Sequence, residues 1–280
     1  MADLSGLAGR TGTALGCLAT AVVLAFAGSA RADTICTVLA DPASGKVLSQ
    51  DGECDRRVPP ASTFKIPISL MGYDAGFLQD ATAPRLPFKQ GYPDWRESWR
   101  TDIDPTSWMR ESVVWYSQQF TQALGKEAFA RYVEAFDYGN HDVSGDRGKD
   151  NGLTRSWLSS SLRISPLEQV GFLARVTGRT LPLEARAYEM TEAILGRHDL
   201  ANGWTVRGKT GAGFSVKPDG TPDRQRPFGW YVGWASRDGR TIVFARLVER
   251  SAPQKMSPGL GARDAMLEEL PSLLDAASGD

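Results

Sequence analysis

The sequence predicts an α+β fold: an antiparallel sheet built from strands at both ends of the chain, flanked by helices, with a mainly helical subdomain inserted between them. Three observations carry this prediction. Short β-type runs begin just after residue 33, apolar positions recur at helical spacing between residues 62 and 200, and β-type runs return from residue 204. With 280 residues, 41% of them hydrophobic and 23% charged, the chain can bury one large core or two modest subdomains.

Residues 1–32 have the character of a secretory signal. An apolar run from Ala14 to Phe26 is followed by Gly28, Ser29 and Ala30-Arg31-Ala32, an A-x-A pattern that predicts cleavage near Ala32. The run is too short to span a membrane comfortably. A periplasmic or secreted mature protein is therefore expected. Loss of Asp3, Arg10 and Arg31 would move the formal charge from -1 to -2. Such a chain has no basic field to hold nucleic acid or an anionic membrane, so a small-molecule substrate is expected. Cys17 leaves with the signal, and Cys36 and Cys54 remain. An even pair in an exported chain suggests one disulfide, the other reading being two buried thiols.

The rest is expected to be one catalytic domain, residues 33–280. Its sheet subdomain would take about 33–60 and 201–280, and its helical subdomain about 61–200. Thr34–Leu39 and Lys46–Gln50 predict a hairpin, joined by the turn sequence Asp41-Pro42-Ala43-Ser44-Gly45. That hairpin would bring Cys36 near residues just beyond Leu48, within reach of Cys54. Ser165-Pro166-Leu167-Glu168 predicts a helix start, with Ser at the N-cap, Pro at N1 and Glu at N3. Residues 137–152 are rich in Gly, Asp and Asn and predict a loop. Trp204–Lys209, Phe228–Ala235 and Thr241–Val248 predict strands, with turns at Pro218-Asp219-Gly220 and Arg237-Asp238-Gly239. A helix over Leu260–Ala276 closes the chain.

The chemistry begins with Ser62 and Lys65. Three residues apart on a helix, they stand on one face about one turn apart. A serine hydroxyl is a weak nucleophile until a base takes its proton. A lysine with its ordinary pKa of ~10.4 is a cation at neutral pH, so Lys65 needs apolar surroundings to act as a base. The purely structural alternative is an N-cap serine followed by a solvated lysine. Ser112-Val113-Val114, at the start of a helical stretch over Val113–Leu124, offers a second serine able to pass a proton.

Gly203-x-x-x-x-Gly208-Lys209-Thr210 matches a phosphate-binding loop literally. The match fails on context, because residues 204–207 predict strand and Gly211, Gly213 and Pro218 follow instead of a helix. Lys209-Thr210-Gly211 at a strand edge offers a cation, a hydroxyl and a side-chain-free approach for a substrate; its bland counterpart is an edge lysine beside a bulge glycine. The chain has two histidines, His141 and His198, in no ligand-spaced cluster, and lacks a Gly-x-Ser-x-Gly elbow. A Ser-His-Asp triad and a catalytic metal are therefore not expected.

In that order, Ser62-x-x-Lys65, Ser112-x-Val114 and Lys209-Thr210-Gly211 resemble the three elements of the penicillin-recognising serine enzymes. Ser62-Thr63-Phe64-Lys65, Val114, Tyr138-Gly139-Asn140 and Trp157-Leu158 resemble the class D (oxacillinase-type) β-lactamases in particular. Val114 stands where class A enzymes and most transpeptidases carry Asn. The resemblance runs from Thr34 to the last helix and implies a β-lactamase/transpeptidase-like fold. It implies hydrolysis of the β-lactam ring through a Ser62 acyl-enzyme, and hence antibiotic resistance. The implied general base for both half-reactions is Lys65 carbamylated by carbon dioxide or bicarbonate. Phe64, Val114, Trp157 and Leu158 would shield it, with the Trp157 indole donating to the carbamate. Ser112 would return the proton to the leaving nitrogen, and the backbone N–H groups of Ser62 and Ala212 would hold the oxyanion. Lys209 and Thr210 would meet the substrate carboxylate with Arg263, or with Arg250 nearer the strand end. No membrane insertion is expected after signal cleavage, and the expected state is monomer or dimer. The alternative function is a β-lactam sensor of the same fold that acylates without efficient turnover. A DD-peptidase is disfavoured by Val114, and a non-catalytic cell-wall binding module would need all three motifs to coincide by chance.

Overall fold

The computed structural model describes residues 33–250 and 256–278. The secretory-signal reading of residues 1–32 lies outside them. The β-branched run after Asp33 forms β1 (Asp33–Ala40) and the next forms β2 (Val47–Gly52). They pair antiparallel with Cys36 opposite Gly52. The hairpin closes where Gly45 takes φ 70°, a conformation glycine reaches without steric cost. Cys36 is bonded to Cys54, just past β2, across a Cα–Cα distance of 5.0 Å.

Three long strands follow late in the chain: β4 (Thr205–Val216), β5 (Pro222–Arg237) and β6 (Arg240–Glu249), preceded by the short β3 (Gly196–Asp199). The sheet order is β2-β1-β6-β5-β4-β3, and every neighbouring pair is antiparallel. The N-terminal hairpin thus docks on the last strand, with Leu39 opposite Phe244, and both chain ends build one sheet as expected. β3 corrects the reading of residues 62–200 as helical. Gly196-Arg197-His198-Asp199 shows no strand alternation, and its backbone is held by pairing with Thr205–Gly208 alone.

The helices are α1 (Lys65–Asp74), α2 (Pro105–Glu111), α3 (Val114–Leu124), α4 (Lys126–Ala135), α5 (Gly152–Arg155), α6 (Pro166–Thr177), α7 (Ala185–Ile194) and α8 (Pro258–Ser278). The start of α6 follows its sequence signal. Ser165 Oγ accepts from Glu168 N at 3.2 Å and Glu168 Oε2 accepts from Ser165 N at 2.8 Å. Residues 75–104, inside the stretch read as helical, hold no α-helix and only a 3₁₀ turn at Glu97–Trp99. One face of the sheet packs on the helical region through Trp230, Val232 and Leu247. The other packs on α8, whose Ala262, Met266, Leu270 and Leu274 are buried at four-residue spacing.

Candidate active site

Ser62 lies in a 3₁₀ turn, Ala61–Phe64, that runs directly into α1. The turn is held from several sides. Ala61 N donates to Trp157 O at 3.0 Å, the Trp230 indole donates to Pro59 O at 3.0 Å, and Thr63 Oγ1 donates to Pro60 O at 2.7 Å while accepting from Gln169 Nε2 at 3.1 Å. These bonds maintain Ala61 at φ 49°, in the left-handed region that a residue with a Cβ avoids. Ser62 makes no capping hydrogen bond and faces a cleft, so the N-cap alternative does not apply. Ser112, the second serine, sits at φ 61°, ψ 37° between α2 and α3 and lines the same cleft.

The Lys209-Thr210-Gly211 segment belongs to β4 just past the point where β3 stops pairing, at Gly208. Its free edge is pressed against the nucleophile turn: a Cβ on Gly211 would sit 2.9 Å from Pro60 O and 3.1 Å from Thr63 N. Only glycine allows that approach. Ala212 follows, exposed in the cleft. Lys209 Nζ donates to Thr210 O at 3.1 Å. Burial, then the positive charges of Arg96 and Arg263, lower the Lys209 pKa to about 7.

Lys65 is 1% exposed. Burial, reinforced by the charge of Lys209, holds its amine well below the ordinary lysine range. Its Nζ has no hydrogen-bond partner among the described residues, and the same is true of buried Trp157 Nε1 and Ser156 Oγ. A buried polar atom left unpaired costs roughly 1–3 kcal/mol, so three such atoms are a costly arrangement. Their chemistry suits an added carboxylate-like group on Lys65: an amine that carries it, and an indole N–H and a hydroxyl able to donate to its oxygens. Phe64 stacks on Trp157 with ring centroids 5.7 Å apart, and Val114 and Leu158 are buried.

The Trp157 segment is pinned through Tyr138-Gly139-Asn140. The Tyr138 ring meets the edge of Phe64 at 5.1 Å. Asn140 N donates to Arg163 O at 2.9 Å, and Asn140 Oδ1 accepts from Arg163 N at 2.8 Å. Phe214 N donates to Ser159 Oγ at 3.0 Å, tying the same segment to β4.

Of the two arginines considered for the substrate carboxylate, Arg263 on α8 lines the cleft with Ser62, Ser112 and Thr210. Arg250 does not. Its guanidinium is buried, donates to Met256 O at 2.5 Å and lies where a Gly261 side chain would project. His141 pairs with Glu134 and Asp137 at the surface, and His198 lines a neighbouring cavity. Among the described residues, no group of three or more His, Cys, Asp or Glu is placed to hold a metal. Sequence reasoning missed Trp95, Arg96, Trp99 and Arg110, which complete the cleft of about 270 Å³. A signal was present in Trp95-Arg96-Glu97-Ser98-Trp99-Arg100, two tryptophans amid charges, and Trp95 is 63% exposed.

A serine turn seated on a Lys-Thr-Gly strand edge, with a buried lysine behind it, places this domain in the transpeptidase class. The family model described as "Penicillin binding protein transpeptidase domain" matches residues 35–270. Beta-lactamase OXA-9 of Klebsiella pneumoniae is 46% identical over 240 residues, 85% of this chain and 88% of that protein. The crystal structure of OXA-427 class D β-lactamase superposes with TM-score 0.82 at 46% identity, covering 86% of this chain and 99% of that one. The C-terminal domain of the Bacillus licheniformis BlaR penicillin receptor superposes with TM-score 0.71 at 26% identity, covering 85% and 89%. The chain belongs to the class D serine β-lactamases.

Proposed function

We propose that the protein hydrolyses the β-lactam ring of penicillin-type antibiotics through an acyl-enzyme on Ser62, with modified Lys65 as the general base. The observation that carries this reading is the buried Lys65 amine without a hydrogen-bond partner, together with the equally unpaired, buried Trp157 and Ser156 donors. Carbon dioxide joined to that amine supplies anionic oxygens at neutral pH. Lys65 then takes the Ser62 proton as the Ser62 Oγ–carbonyl bond forms, and the lactam C–N bond breaks as Ser112 delivers its proton to nitrogen and is reprotonated from Lys65, which is again a free base. The Ser62 and Ala212 N–H groups receive the oxyanion, and Lys209, Thr210 and Arg263 hold the substrate carboxylate. Lys65 next takes a proton from water as the water oxygen attacks the ester, and returns that proton to Ser62 Oγ as the ester C–O bond breaks. Export through the residue 1–32 signal would place this activity outside the cytoplasm, where it would confer β-lactam resistance.

The pH dependence follows in sign. Only the neutral amine reacts with carbon dioxide, and the amine is neutral above its lowered pKa. Turnover of a chromogenic cephalosporin should therefore fall as pH drops through that value, fall in degassed buffer, and return on adding bicarbonate. Activity indifferent to bicarbonate at every pH would sink the modified-lysine base. Trp157→Phe keeps the ring stacked on Phe64 but removes the indole donor. It should raise the bicarbonate concentration needed for half-maximal activity by at least about tenfold, the loss of one charge-assisted hydrogen bond.

The likeness to the BlaR receptor domain favours a second reading, a sensor that acylates and stays acylated. Pre-steady-state kinetics separate the two. One burst equal to the protein concentration marks a sensor, and continued turnover after it marks the enzyme.

A further inference from the structure

The cleft carries more positive charge than one substrate carboxylate uses. Arg96, Arg110 and Arg263 all line it, and Arg110, Lys209 and Arg263 line the adjoining cavity of about 310 Å³. Among the described residues, neither wall includes an aspartate or a glutamate. Two of these cations have local relief. Arg263 is paired with Asp264 and Arg110 with Glu111, each its own chain neighbour. Arg96 has no ion pair among the described residues.

Its position is nevertheless built. Trp99, 3% exposed, donates its indole N–H to Glu111 O at 3.0 Å, and Trp99 O accepts from the Trp115 indole at 3.0 Å. These bonds fasten the Arg96 segment to the end of α2, which bears Arg110 and Ser112, and to the first turn of α3. The exposed Trp95 ring lies against Trp99, centroids 5.6 Å apart, and gives the same wall an apolar face. Two arginine forks beside an aromatic surface suit a carboxylate carried on an aromatic or alkyl group.

We propose that Arg96 and Arg110 form a second anion subsite, distinct from Lys209-Thr210-Arg263, that selects β-lactams bearing an additional carboxylate on the acylamino side chain. The proposal rests on the Ser62 hydrolysis reading and names the substrate class that site prefers. The ring carboxylate occupies the Lys209 side, and the side-chain carboxylate meets Arg96 and Arg110. Specificity is a difference between two binding free energies, so the effect belongs in a ratio between matched substrates.

The test compares kcat/KM for benzylpenicillin and for its α-carboxybenzyl counterpart, which differ only in that carboxylate. Arg96→Gln should lower the dianion-to-monoanion ratio about fivefold and Arg110→Gln by a similar factor, with the change mainly in KM. Arg96→Lys should recover part of it. Arg100→Gln, which alters an exposed arginine paired with Asp94 outside the cleft wall, should leave the ratio as it is. A ratio unmoved by Arg96→Gln and Arg110→Gln overturns the subsite. An equal fall in Arg100→Gln also overturns it, in favour of long-range steering. In both cases continued hydrolysis of benzylpenicillin leaves the Ser62 reading standing. If neither penicillin is turned over, both fall together.

Discussion

Replacing Lys65 by alanine should slow acylation of Ser62 and leave any acyl-enzyme that does form undegraded. The variant keeps Ser62 on its strained turn, with the Ser112 and Lys209 elements in place, but has no base to activate water. A positioned general base typically contributes about 10²–10⁴-fold, and Lys65 is asked to serve in both half-reactions, so steady-state hydrolysis should fall by at least that factor. Intact-protein mass spectrometry after mixing with a penicillin should show an adduct of the full penicillin mass that persists for hours. Adduct formation would itself demonstrate a folded site. The substitution removes a buried amine with no hydrogen-bond partner among the described residues, so the packing lost is offset by relief of that unpaired group. Turnover at the normal rate by Lys65→Ala would contradict the mechanism.

Gly139→Ala should produce a large loss of stability. Gly139 has φ 62°, and a Cβ there would lie 2.0 Å from Arg163 O and 2.9 Å from its carbonyl carbon. The obstacle is backbone, which no rotamer change can relieve. The left-handed conformation costs alanine about 1–2 kcal/mol, and displacing the 161–164 segment breaks its hydrogen bonds with Asn140. A total of about 3–4 kcal/mol corresponds to a Tm lowered by about 10 °C for a domain of this size. Trp157 lies in the stretch of chain just before this segment, so surviving enzyme should need more bicarbonate. Calorimetry of the two proteins checks the first point; a Tm within about 2 °C of the parent would contradict the packing argument.

The hairpin, the three long C-terminal strands and α8 were legible in the sequence because alternation, helical spacing and Pro/Gly turns are local signals. The reciprocal cap of α6 was legible for the same reason. The strand β3 was not, since Gly196-Arg197-His198-Asp199 is held by backbone pairing to β4 and shows no pattern of its own. A matching cap at Asp104-Pro105-Thr106-Ser107 was present but introduces only the short α2.

The site divides along similar lines. That Lys65 must escape protonation was a requirement readable from two residues. How it does so depends on burial, which sequence spacing only suggests. Ser156 gave no sign of itself, because its unpaired hydroxyl is a fact of packing. Arg263 and Arg250 both follow the last strand, and only the path of the chain into α8 turns one toward the cleft and buries the other. Arg96 comes from a long loop whose place is set by the Trp99 indole bond, a tertiary contact.

The central claim is that Lys65 works as a carbamate. Protein equilibrated with ¹³C-labelled bicarbonate near neutral pH should show, by NMR, one bound carbamate carbon per active site. That signal should fade on acidification in step with activity and be absent from Lys65→Ala. Full turnover in carbon-dioxide-free buffer by a protein with no such signal would contradict the account.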